Sequence, residues 1–263
     1  MKKIIIITGA SSGMGAEFAR QVYAQKSYVN HEMWLIAREE DKLSEFAATL
    51  SGRDITIRTF AFDLAGAAGA KRVKDIIDTE SKNGEFTIDL LINNAGFGTY
   101  GPFAETEPMR EMAMIDLNCT ALTGICGFVL PHMQRGAQII NVASLAAFLP
   151  LGNFAVYAAT KSYVLSFSIA LAAELREHGI SVCALCPGSV STNFANVASN
   201  GKRREVLHGC DPCRVVSHCL RASNRGRKIA LWRPKWKFTA FMSRFIGRYI
   251  GARFTYLFNK RPH

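Results

Sequence analysis

The chain has 263 residues, 49% of them hydrophobic, which is enough to bury one large core and does not require a second domain. Its formal net charge of +11 comes from one end, because residues 212–263 contain 13 of the 32 Lys and Arg residues and no Asp or Glu. The basic residues of this tail alternate with bulky apolar ones, so the charge does not indicate a nucleic-acid-binding protein.

The first apolar segment, in MKKIIIITG, has four isoleucines before Thr8. A signal peptide needs an apolar region of roughly 7 to 15 residues, so this segment predicts a buried strand instead. The sequence contains no stretch of about 18 uninterrupted apolar residues, so it does not predict a helix that spans a membrane. With seven cysteines and no secretion signal, we expect a reducing, cytoplasmic location without a disulfide framework.

Six further apolar segments follow, and segments with helical periodicity separate most of them. The predicted strands span residues 3–8, 33–37, 55–60, 88–93, 138–143, 180–185 and 229–232. The predicted helices span residues 15–24, 39–50, 67–83, 109–134 and 157–178. Continuous apolar strands that alternate with helices are typical of a parallel sheet covered on both faces. We therefore predict an α/β doubly wound Rossmann fold with seven parallel strands and a ligand crevice at their carboxyl ends.

The segment TGASSGMG, residues 8–15, links the first strand to the first helix. Its three glycines permit a tight turn, and the N–H groups at the start of the helix can bind a pyrophosphate. The alternative is a glycine turn that binds nothing. After the second strand, Ala37 and Arg38 stand where NAD-binding folds often have an acidic residue. A guanidinium suits a 2′-phosphate, so this position favours NADP(H) as the cofactor.

Two CxxC pairs, Cys183/Cys186 and Cys210/Cys213, could suggest a zinc site. The first pair lies in a predicted strand, where residues three apart point to opposite faces. In the second pair, Asp211 and Pro212 are typical of an N-cap and the first position of a helix. We therefore predict no metal site.

Several polar motifs fall at or near predicted strand ends: FDL with Asp63, NNAG at residues 93–96, NVAS ending at Ser144, YAATK at residues 157–161 and PGSVST at residues 187–192. Together with TGxxxGxG, this order resembles the short-chain dehydrogenase/reductase family in its classical form, over about residues 3–232. The resemblance implies that Asn118, Ser144, Tyr157 and Lys161 form a catalytic tetrad.

The same resemblance, with the turn and Arg38, predicts a set of cofactor-binding residues in the loops that follow the strands. They are Gly9, Ser11, Ser12, Gly13, Met14, Gly15, Arg38, Asp63, Leu64, Asn94, Ala95, Gly96, Tyr157, Lys161, Pro187, Gly188, Val190 and Thr192.

Tyr157 and Lys161 lie on one face of a helix, because four residues separate them. Alone, this spacing would fit an ordinary surface pair. In the family's chemistry, the lysine lowers the pKa of the phenol from its ordinary value of about 10, so that the phenol can give a proton to a carbonyl oxygen. Ser144 donates a hydrogen bond to the same oxygen. The resemblance adds that Lys161 binds the nicotinamide ribose and that Asn118 holds a water in a proton relay.

Aromatic and small residues are the candidates for the substrate pocket: Phe97, Ala146, Phe148, Phe154 and Phe194. They favour a hydrophobic ketone, such as a steroid or a lipid-like ketone, although some of them could simply pack the core. The alternative functions are a 3-oxoacyl thioester reductase and a catalytically silent, nucleotide-sensing protein with the same fold.

We predict one catalytic domain over residues 1–232, with a substrate lid at about residues 193–211, and a basic amphipathic extension over residues 233–263. Apolar residues from Phe238 to Ile250 follow helical spacing with Arg244 and Arg248 opposite, and the helix should break near Gly251. Such a helix can lie on an anionic membrane, dock on a second subunit or cover the active site. The family resemblance also implies a homodimer or homotetramer.

Overall fold

The computed structural model describes residues 1–52, 54–203 and 209–259, and within them it has one seven-stranded parallel sheet. The strands are β1 (Lys2–Thr8), β2 (Glu32–Ala37), β3 (Thr56–Ala61), β4 (Phe86–Asn93), β5 (Gln138–Val142), β6 (Ser181–Leu185) and β7 (Ile229–Ala230). Their order is β3-β2-β1-β4-β5-β6-β7. The prediction of a doubly wound fold with seven parallel strands is confirmed, and the predicted strand ends agree to within two residues.

The continuous apolar strands reflect a sheet that is covered on both faces. On β1, Ile5 and Ile7 pack into the core on one face, whereas Ile4 and Ile6 pack into the core on the other. All four side chains are fully buried. This alternation explains why the segment that imitates a signal peptide is the central strand of the sheet.

Ten α-helices flank the sheet or follow it in the described residues. They are α1 (Gly13–Tyr23), α2 (Glu40–Ala48), α3 (Gly66–Lys82), α4 (Pro108–Ile115), α5 (Leu122–Val129), α6 (Ala155–Glu174), α7 (Phe194–Ala198), α8 (Pro212–Asn224), α9 (Pro234–Met242) and α10 (Arg248–Phe258). Helices α1, α2 and α8 cover one face, and α3, α5 and α6 cover the other. At the start of α8, the Asp211 carboxylate accepts a hydrogen bond from the Cys213 N–H at 2.9 Å, as the sequence predicts.

The direction of strand order reverses between β1 and β4, which are hydrogen-bonded neighbours. A crevice forms at such a reversal, because the connections from the two strands leave toward opposite faces of the sheet. The loops after β1, β4 and β5 therefore converge at one edge, where most of the polar motifs lie.

The predicted helix over residues 109–134 corresponds to one continuous helical stretch, Pro108–His132, which is not α-helical throughout. A π-helical turn, Asp116–Ala121, separates α4 from α5, and a 3₁₀ turn, Leu130–His132, ends the segment. A π turn adds a residue to the helical repeat and is often found at functional sites. The apolar pattern continues through it, so the sequence carried no signal of the change.

The predicted break near Gly251 is wrong. The chain leaves helical structure earlier, after Met242, and α10 begins at Arg248 with Gly247 as its N-cap. Gly251 lies buried inside α10, where a Cβ would be 3.5 Å from the Leu149 side chain. The glycine therefore serves a close contact between α10 and the loop after β5.

Two helical stretches within the described residues, Pro108–His132 and Ala155–Glu174, are long and apolar enough to span a membrane by length and composition alone. Both contribute buried residues to the core beside the sheet, such as Ile125 and Val164. Core helices meet the same criteria, so this finding is weak evidence for a membrane span. The predicted lid at about residues 193–211 contains α7, and its residues 204–208 lie outside the described part of the chain.

A charge cluster ties β1, β2, β3 and α3 together. Arg58 Nη1 lies 2.9 Å from Glu32 Oε1 and 2.7 Å from Glu80 Oε2. Lys2 Nζ lies 2.8 Å from Glu32 Oε2 and 2.5 Å from Glu80 Oε1. Burial alone would raise the pKa of both carboxyls, but the hydrogen bonds and positive charges of Lys2 and Arg58 outweigh it and lower the pKa of each.

We expect Arg58→Met to lower the free energy of unfolding by about 1–3 kcal/mol at neutral pH, because it leaves two buried carboxylates short of a partner. Since the folded carboxyl pKa values are lowered, this stabilisation is present above the ordinary pKa of about 4.3 and is lost as the pH falls through the folded values. Urea unfolding at several pH values measures it. Lys74→Met, which breaks the exposed pair with Asp78, is the control and should change stability by less than about 1 kcal/mol. Equal effects of the two substitutions would contradict the prediction.

Candidate active site

The turn between β1 and α1 has a backbone that only glycine fits at its critical positions. Gly9 and Gly13 have φ values of 64° and 54°. A Cβ at Gly15 would lie 2.0 Å from the carbonyl oxygen of Gly9. The Asn94 side chain donates hydrogen bonds to the carbonyl oxygens of Thr8 and Gly9, at 3.1 and 3.2 Å. Asn94, which follows the neighbouring strand β4, therefore holds the turn in a fixed conformation.

Helix α1 begins directly after this turn, and its start is a suitable site for an anion. Its N-cap, Ser12, has an extended backbone and makes no side-chain capping hydrogen bond. The first N–H groups of the helix therefore lack a side-chain cap and carry the positive end of the helix dipole. This turn fits the pyrophosphate of a dinucleotide, with Ser11, Ser12, Gly13 and Met14 nearest to it in sequence.

Arg38 follows β2 at the same edge of the sheet. The Ala10 N–H donates to the Ile36 carbonyl oxygen at 3.2 Å, so the glycine turn lies against the end of β2. Arg38 is exposed. Its neighbour Glu39 has an ion pair with Lys42, at 2.5 Å, and that hydrogen bond lowers the pKa of the Glu39 carboxyl. The positive charge of Lys42 offsets the negative charge of Glu39, and this reduces the repulsion that a phosphate near Arg38 would meet.

The loops after β3 and β4 carry the next predicted cofactor-binding residues. Asp63 is exposed and accepts a hydrogen bond from the Ala65 N–H at 3.0 Å, whereas Leu64 is buried in the core. The Thr8 hydroxyl accepts hydrogen bonds from the N–H groups of Asn94 and Ala95, at 3.0 and 3.1 Å. The NNAG motif is thus fastened to the end of β1.

Asn118 lies in the π turn and is buried. Its Nδ2 donates to the Phe97 carbonyl oxygen at 3.0 Å and to Thr160 Oγ1 at 3.1 Å, and its Oδ1 accepts from the Phe97 N–H at 3.2 Å. A Cβ at Gly96 would lie 2.7 Å from Asn118 Oδ1 and 3.4 Å from Lys161 Nζ. The π turn therefore brings Asn118 close to Lys161, with Gly96 between them.

Lys161 is buried on α6, one turn after Tyr157. Its Nζ donates to the Val142 carbonyl oxygen at 2.8 Å and lies 5.7 Å from the centre of the Tyr157 ring. Burial lowers the pKa of Lys161 to about 8, and the nearby thiols of Cys119 and Cys186 oppose this shift. The lysine and tyrosine are buried neighbours, which excludes the ordinary surface pair.

Ser144 follows β5 and precedes the 3₁₀ turn Leu145–Phe148. Its backbone is extended, with φ −168°, and its Oγ accepts a hydrogen bond from the Ala146 N–H at 3.1 Å. A hydroxyl that accepts this bond still has its own proton to donate. The loop is held toward β6 by a hydrogen bond from the Leu145 N–H to the Pro187 carbonyl oxygen, at 2.8 Å.

A buried aromatic cluster surrounds Tyr157. Its ring stacks on Phe154 at 4.1 Å between centroids and contacts Phe194 at 5.4 Å, and Phe154 in turn contacts Tyr100 at 4.8 Å. The rest of the cluster is apolar: Met114, Ala195 and Ala198, with Phe97, Ala146, Leu151 and Val156 packed against it. Four of the five predicted pocket residues, Phe97, Ala146, Phe154 and Phe194, are therefore brought together beside Tyr157.

Phe148 is the exception among the predicted pocket residues. It packs against the core beside the sheet and lines a cavity next to Phe241 and Lys237 of α9. The 3₁₀ turn Leu145–Phe148 directs Ala146 toward Tyr157 and Phe148 away from it. The structure therefore does not bring Phe148 together with the other four predicted pocket residues.

The loop after β6 lies between the glycine turn and the tail. A Cβ at Gly13 would lie 3.4 Å from the Thr192 side chain, so Thr192 is next to the start of α1. Val190 forms an isolated parallel bridge with Cys210. Gly188 is covered by the buried indole of Trp236, and a Cβ at Gly188 would lie 2.4 Å from Trp236 Nε1.

Helix α10 fastens the loop that precedes Tyr157. The Gly152 N–H donates to Thr255 Oγ1 at 2.8 Å, and Asn153 Nδ2 donates to the Tyr256 carbonyl oxygen at 2.9 Å. Asn153 has a φ of 59°, a conformation that asparagine adopts more readily than most residues. Both tail helices therefore touch loops that border the candidate site.

Sequence reasoning missed three residues that shape this site: Thr160, Tyr100 and Trp236. Thr160 accepts a hydrogen bond from Asn118 and donates to the Tyr157 carbonyl oxygen at 2.8 Å. The sequence shows Thr160 inside the YAATK motif, but it does not show that Asn118 is its hydrogen-bond partner. Trp236 offered no local signal, because its contact with Gly188 depends on how the tail packs.

Comparisons with known proteins agree with this geometry. Residues 3–203 match the short chain dehydrogenase family. A very-long-chain 3-oxoacyl-CoA reductase from Phaeosphaeria nodorum is 28% identical over 261 residues, covering 94% of this chain and 72% of the relative. A sulfoacetaldehyde reductase 2 from Chromohalobacter salexigens is 32% identical over 205 residues, covering 76% of this chain and 78% of the relative.

Among solved structures, a short-chain dehydrogenase from Sphingobium yanoikuyae in complex with NADPH has a TM-score of 0.78 and 26% sequence identity. The alignment covers 93% of this chain and 94% of that protein. The family match covers most of the chain, and the strand order and the ordered motifs agree with it. The protein therefore belongs to the short-chain dehydrogenase/reductase family of oxidoreductases.

Proposed function

We propose that this protein is an NADP(H)-dependent oxidoreductase that interconverts a ketone or aldehyde and the corresponding alcohol, on a hydrophobic substrate. The observation that carries the proposal is the buried Tyr157, packed in an aromatic cluster, with the Lys161 ammonium one helical turn away. A phenol and a buried amine at this spacing are suited to proton transfer at a carbonyl oxygen.

A nicotinamide dinucleotide would be held by the glycine turn and the start of α1, by Asp63 and the NNAG loop, and by Pro187, Gly188, Val190 and Thr192 on the other side. When bound, the nicotinamide supplies or accepts the hydride. The related structure from Sphingobium yanoikuyae contains NADPH, which supports the same class of cofactor here. Arg38, exposed at the end of β2, supports NADP(H) over NAD(H), since a guanidinium can pair with a 2′-phosphate.

In the reduction direction, Tyr157 is the acid that gives its phenolic proton to the carbonyl oxygen. The opposite direction uses the phenolate as the base. Lys161 stabilises the phenolate by its positive charge, which lowers the energy needed for the tyrosine to release its proton. In this role Lys161 must carry its positive charge. Burial lowers the lysine pKa, but the negative charge of the Tyr157 phenolate raises it and so favours the charged form.

Ser144 and Asn118 have supporting roles in the proposed reaction. The Ser144 hydroxyl would donate a hydrogen bond to the carbonyl oxygen, where negative charge develops, and it would keep its proton. Asn118 is fixed through Phe97 and Thr160 and lies near Lys161 across Gly96, a position from which it could order a water for proton exchange. These two residues position groups around the reacting oxygen.

The substrate we favour is apolar near its carbonyl group. Tyr157 is bordered by Phe154, Phe194 and Phe97, and such a lining excludes water and disfavours a charged group. A 3-oxoacyl thioester is the second candidate, and it is supported by the relative from Phaeosphaeria nodorum, a very-long-chain 3-oxoacyl-CoA reductase. A steroid ketone and an acyl thioester both meet the apolar requirement, so they are assayed together.

A homodimer or homotetramer and a cytoplasmic location stay predictions. Exposed apolar residues on α6, Tyr163 and Ile169, are suited to a contact between subunits. All seven cysteines are free, which agrees with a reducing compartment.

We expect Tyr157→Phe to reduce kcat by roughly 100- to 10,000-fold while NADPH still binds, because the substitution removes the proton donor and keeps the ring. NADPH oxidation with steroid ketones, 3-oxoacyl thioesters and aldehydes measures activity, and fluorescence titration measures binding. Tyr163→Phe, on an exposed part of the same helix, is the control and should leave kcat within about twofold of the wild type. Retained turnover in Tyr157→Phe would refute the proposed role.

Arg38→Ala should weaken NADPH binding by about 10- to 100-fold, since a charge-assisted hydrogen bond contributes about 1.5–3 kcal/mol. NADH binding should stay nearly unchanged, because NADH has no 2′-phosphate. Isothermal titration with both nucleotides gives the ratio. An equal loss for the two nucleotides, or a wild-type preference for NADH, would contradict NADP(H) specificity.

Lys161 provides a pH test on the cofactor-free protein. Its folded pKa of about 8 lies below the ordinary value of 10.5, so the unfolded chain binds more protons between these values. Wild-type stability relative to Lys161→Met should therefore rise from about pH 8 to pH 10.5, by up to about 3 kcal/mol. Urea unfolding at about pH 7, 9 and 10 measures the difference in the free energy of unfolding between the two proteins. Parallel pH dependence of the two proteins would show that Lys161 is not buried as described.

A further inference from the structure

Helix α10 packs with its small residues inward and its large ones outward. Gly251 is buried, and Ala252 and Thr255 are partly covered by the loop Leu149–Asn153. Tyr249, Ile250, Phe254, Leu257 and Phe258 are all exposed. An apolar helix on a protein core normally does the reverse. This outward face is therefore suited to contact with something other than the rest of this chain.

The same pattern continues through α9 and the turn Ser243–Gly247. Trp236 and Ala240 of α9 are buried, whereas Phe238 and Phe241 are exposed. The exposed apolar side chains from α9 to α10, which we call the tail surface, are Phe238, Phe241, Phe245, Ile246, Tyr249, Ile250, Phe254, Tyr256, Leu257 and Phe258. So many exposed large apolar residues in one short segment indicate an interaction surface.

The charges around the tail surface have one sign. Residues 233–259 include six Arg and Lys residues and no Asp or Glu. Arg244 lies in the turn between the two helices and Arg248 directly follows it, and both are exposed. In the described part of the chain, no ion pair includes a basic residue of this segment. An anionic partner would meet positive charge that no carboxylate among the described residues neutralises by an ion pair.

A cavity beside α9 adds a cationic recess to this surface. It has a volume of about 280 Å³, and its lining includes Phe148, Phe241, Arg227, Lys237 and Arg244. Phe241 belongs to the tail surface, so the recess and that surface adjoin. His218 also lines the recess, and burial, with the charges of Lys237, Arg221 and Arg227, lowers its pKa. The recess is suited to the phosphate of a lipid headgroup.

We propose that the tail surface docks α9 and α10 on an anionic phospholipid membrane, with the aromatic side chains in the interface and the basic side chains against lipid phosphates. Aromatic and basic residues in one helical segment are typical of segments that lie in the plane of a membrane surface. The helices have 9 and 11 residues, so each is far shorter than the roughly 20 residues needed to span a bilayer. The docking is peripheral.

Charge argues against a second copy as the partner on this face. A symmetric contact would bring the tail surfaces of two copies together, and with them twelve basic residues and no acidic ones, twice the number on each tail. Like charges held together without counter-charges disfavour such a contact. An anionic bilayer offers the opposite charge and an apolar phase at once.

The test is flotation of the full chain with vesicles of phosphatidylcholine, with and without phosphatidylglycerol. We expect binding to the vesicles with phosphatidylglycerol, weakened by salt, and little binding to phosphatidylcholine alone. The triple variant Phe238→Ser, Phe245→Ser and Phe254→Ser should bind at least about tenfold less, because it removes three large apolar contacts. The double variant Arg227→Gln and Lys237→Gln should lose most of the preference for phosphatidylglycerol.

A matched control replaces three equally exposed apolar residues elsewhere, in Phe103→Ser, Met109→Ser and Met112→Ser. Their exposed fractions are 61%, 67% and 57%, against 65%, 69% and 57% for Phe238, Phe245 and Phe254. The control should bind vesicles as the wild type does. Circular dichroism and NADPH titration check that every variant is folded. Absence of wild-type flotation, or equal loss in the tail triple and the control, would overturn the proposal. A lipid-free change of oligomeric state in the tail triple alone would show that a second copy occupies this face.

Discussion

A lysine side chain lies buried at the centre of the crevice, and the candidate site depends on keeping it there. An ammonium group away from water is unfavourable unless polar atoms surround it. The Val142 carbonyl oxygen on β5 accepts its hydrogen bond, and a Cβ at Gly96 after β4 would lie 3.4 Å from its Nζ. Strands β4 and β5 and helix α6 must therefore be in place together before the Lys161 ammonium group can be buried at this position. The chemistry of one tyrosine thus depends on the register of the central sheet.

The sequence was sufficient wherever a segment's own pattern determined its structure. The alternating faces of Ile4 to Ile7 require an element buried on both sides, and a seven-stranded parallel sheet satisfies this. The glycines of the glycine turn between β1 and α1 could be recognised from the sequence, because positive φ values and a close backbone contact require glycine there. The order of strands and motifs was then enough to assemble the polar residues at one edge, since parallel strands all end there.

The errors arose where contacts between distant segments decided the structure. Gly247 and Gly251 look equivalent in sequence, yet one begins α10 and the other packs against Leu149 inside it. Phe148 was placed in the pocket because it follows Ser144, but a 3₁₀ turn directs it toward α9. The π turn that carries Asn118 leaves the apolar periodicity unbroken. The local sequence pattern predicts none of these three features, because each depends on contacts with segments that are distant in the sequence.

The contact between Gly188 and Trp236 joins the tail to the loop after β6. The indole lies where a Cβ at position 188 would be, so any larger residue there would displace α9. A side chain at position 188 would fit only beside a smaller residue at position 236. Neither position can therefore take a larger residue alone, and the loop after β6 and the tail behave as one packing unit.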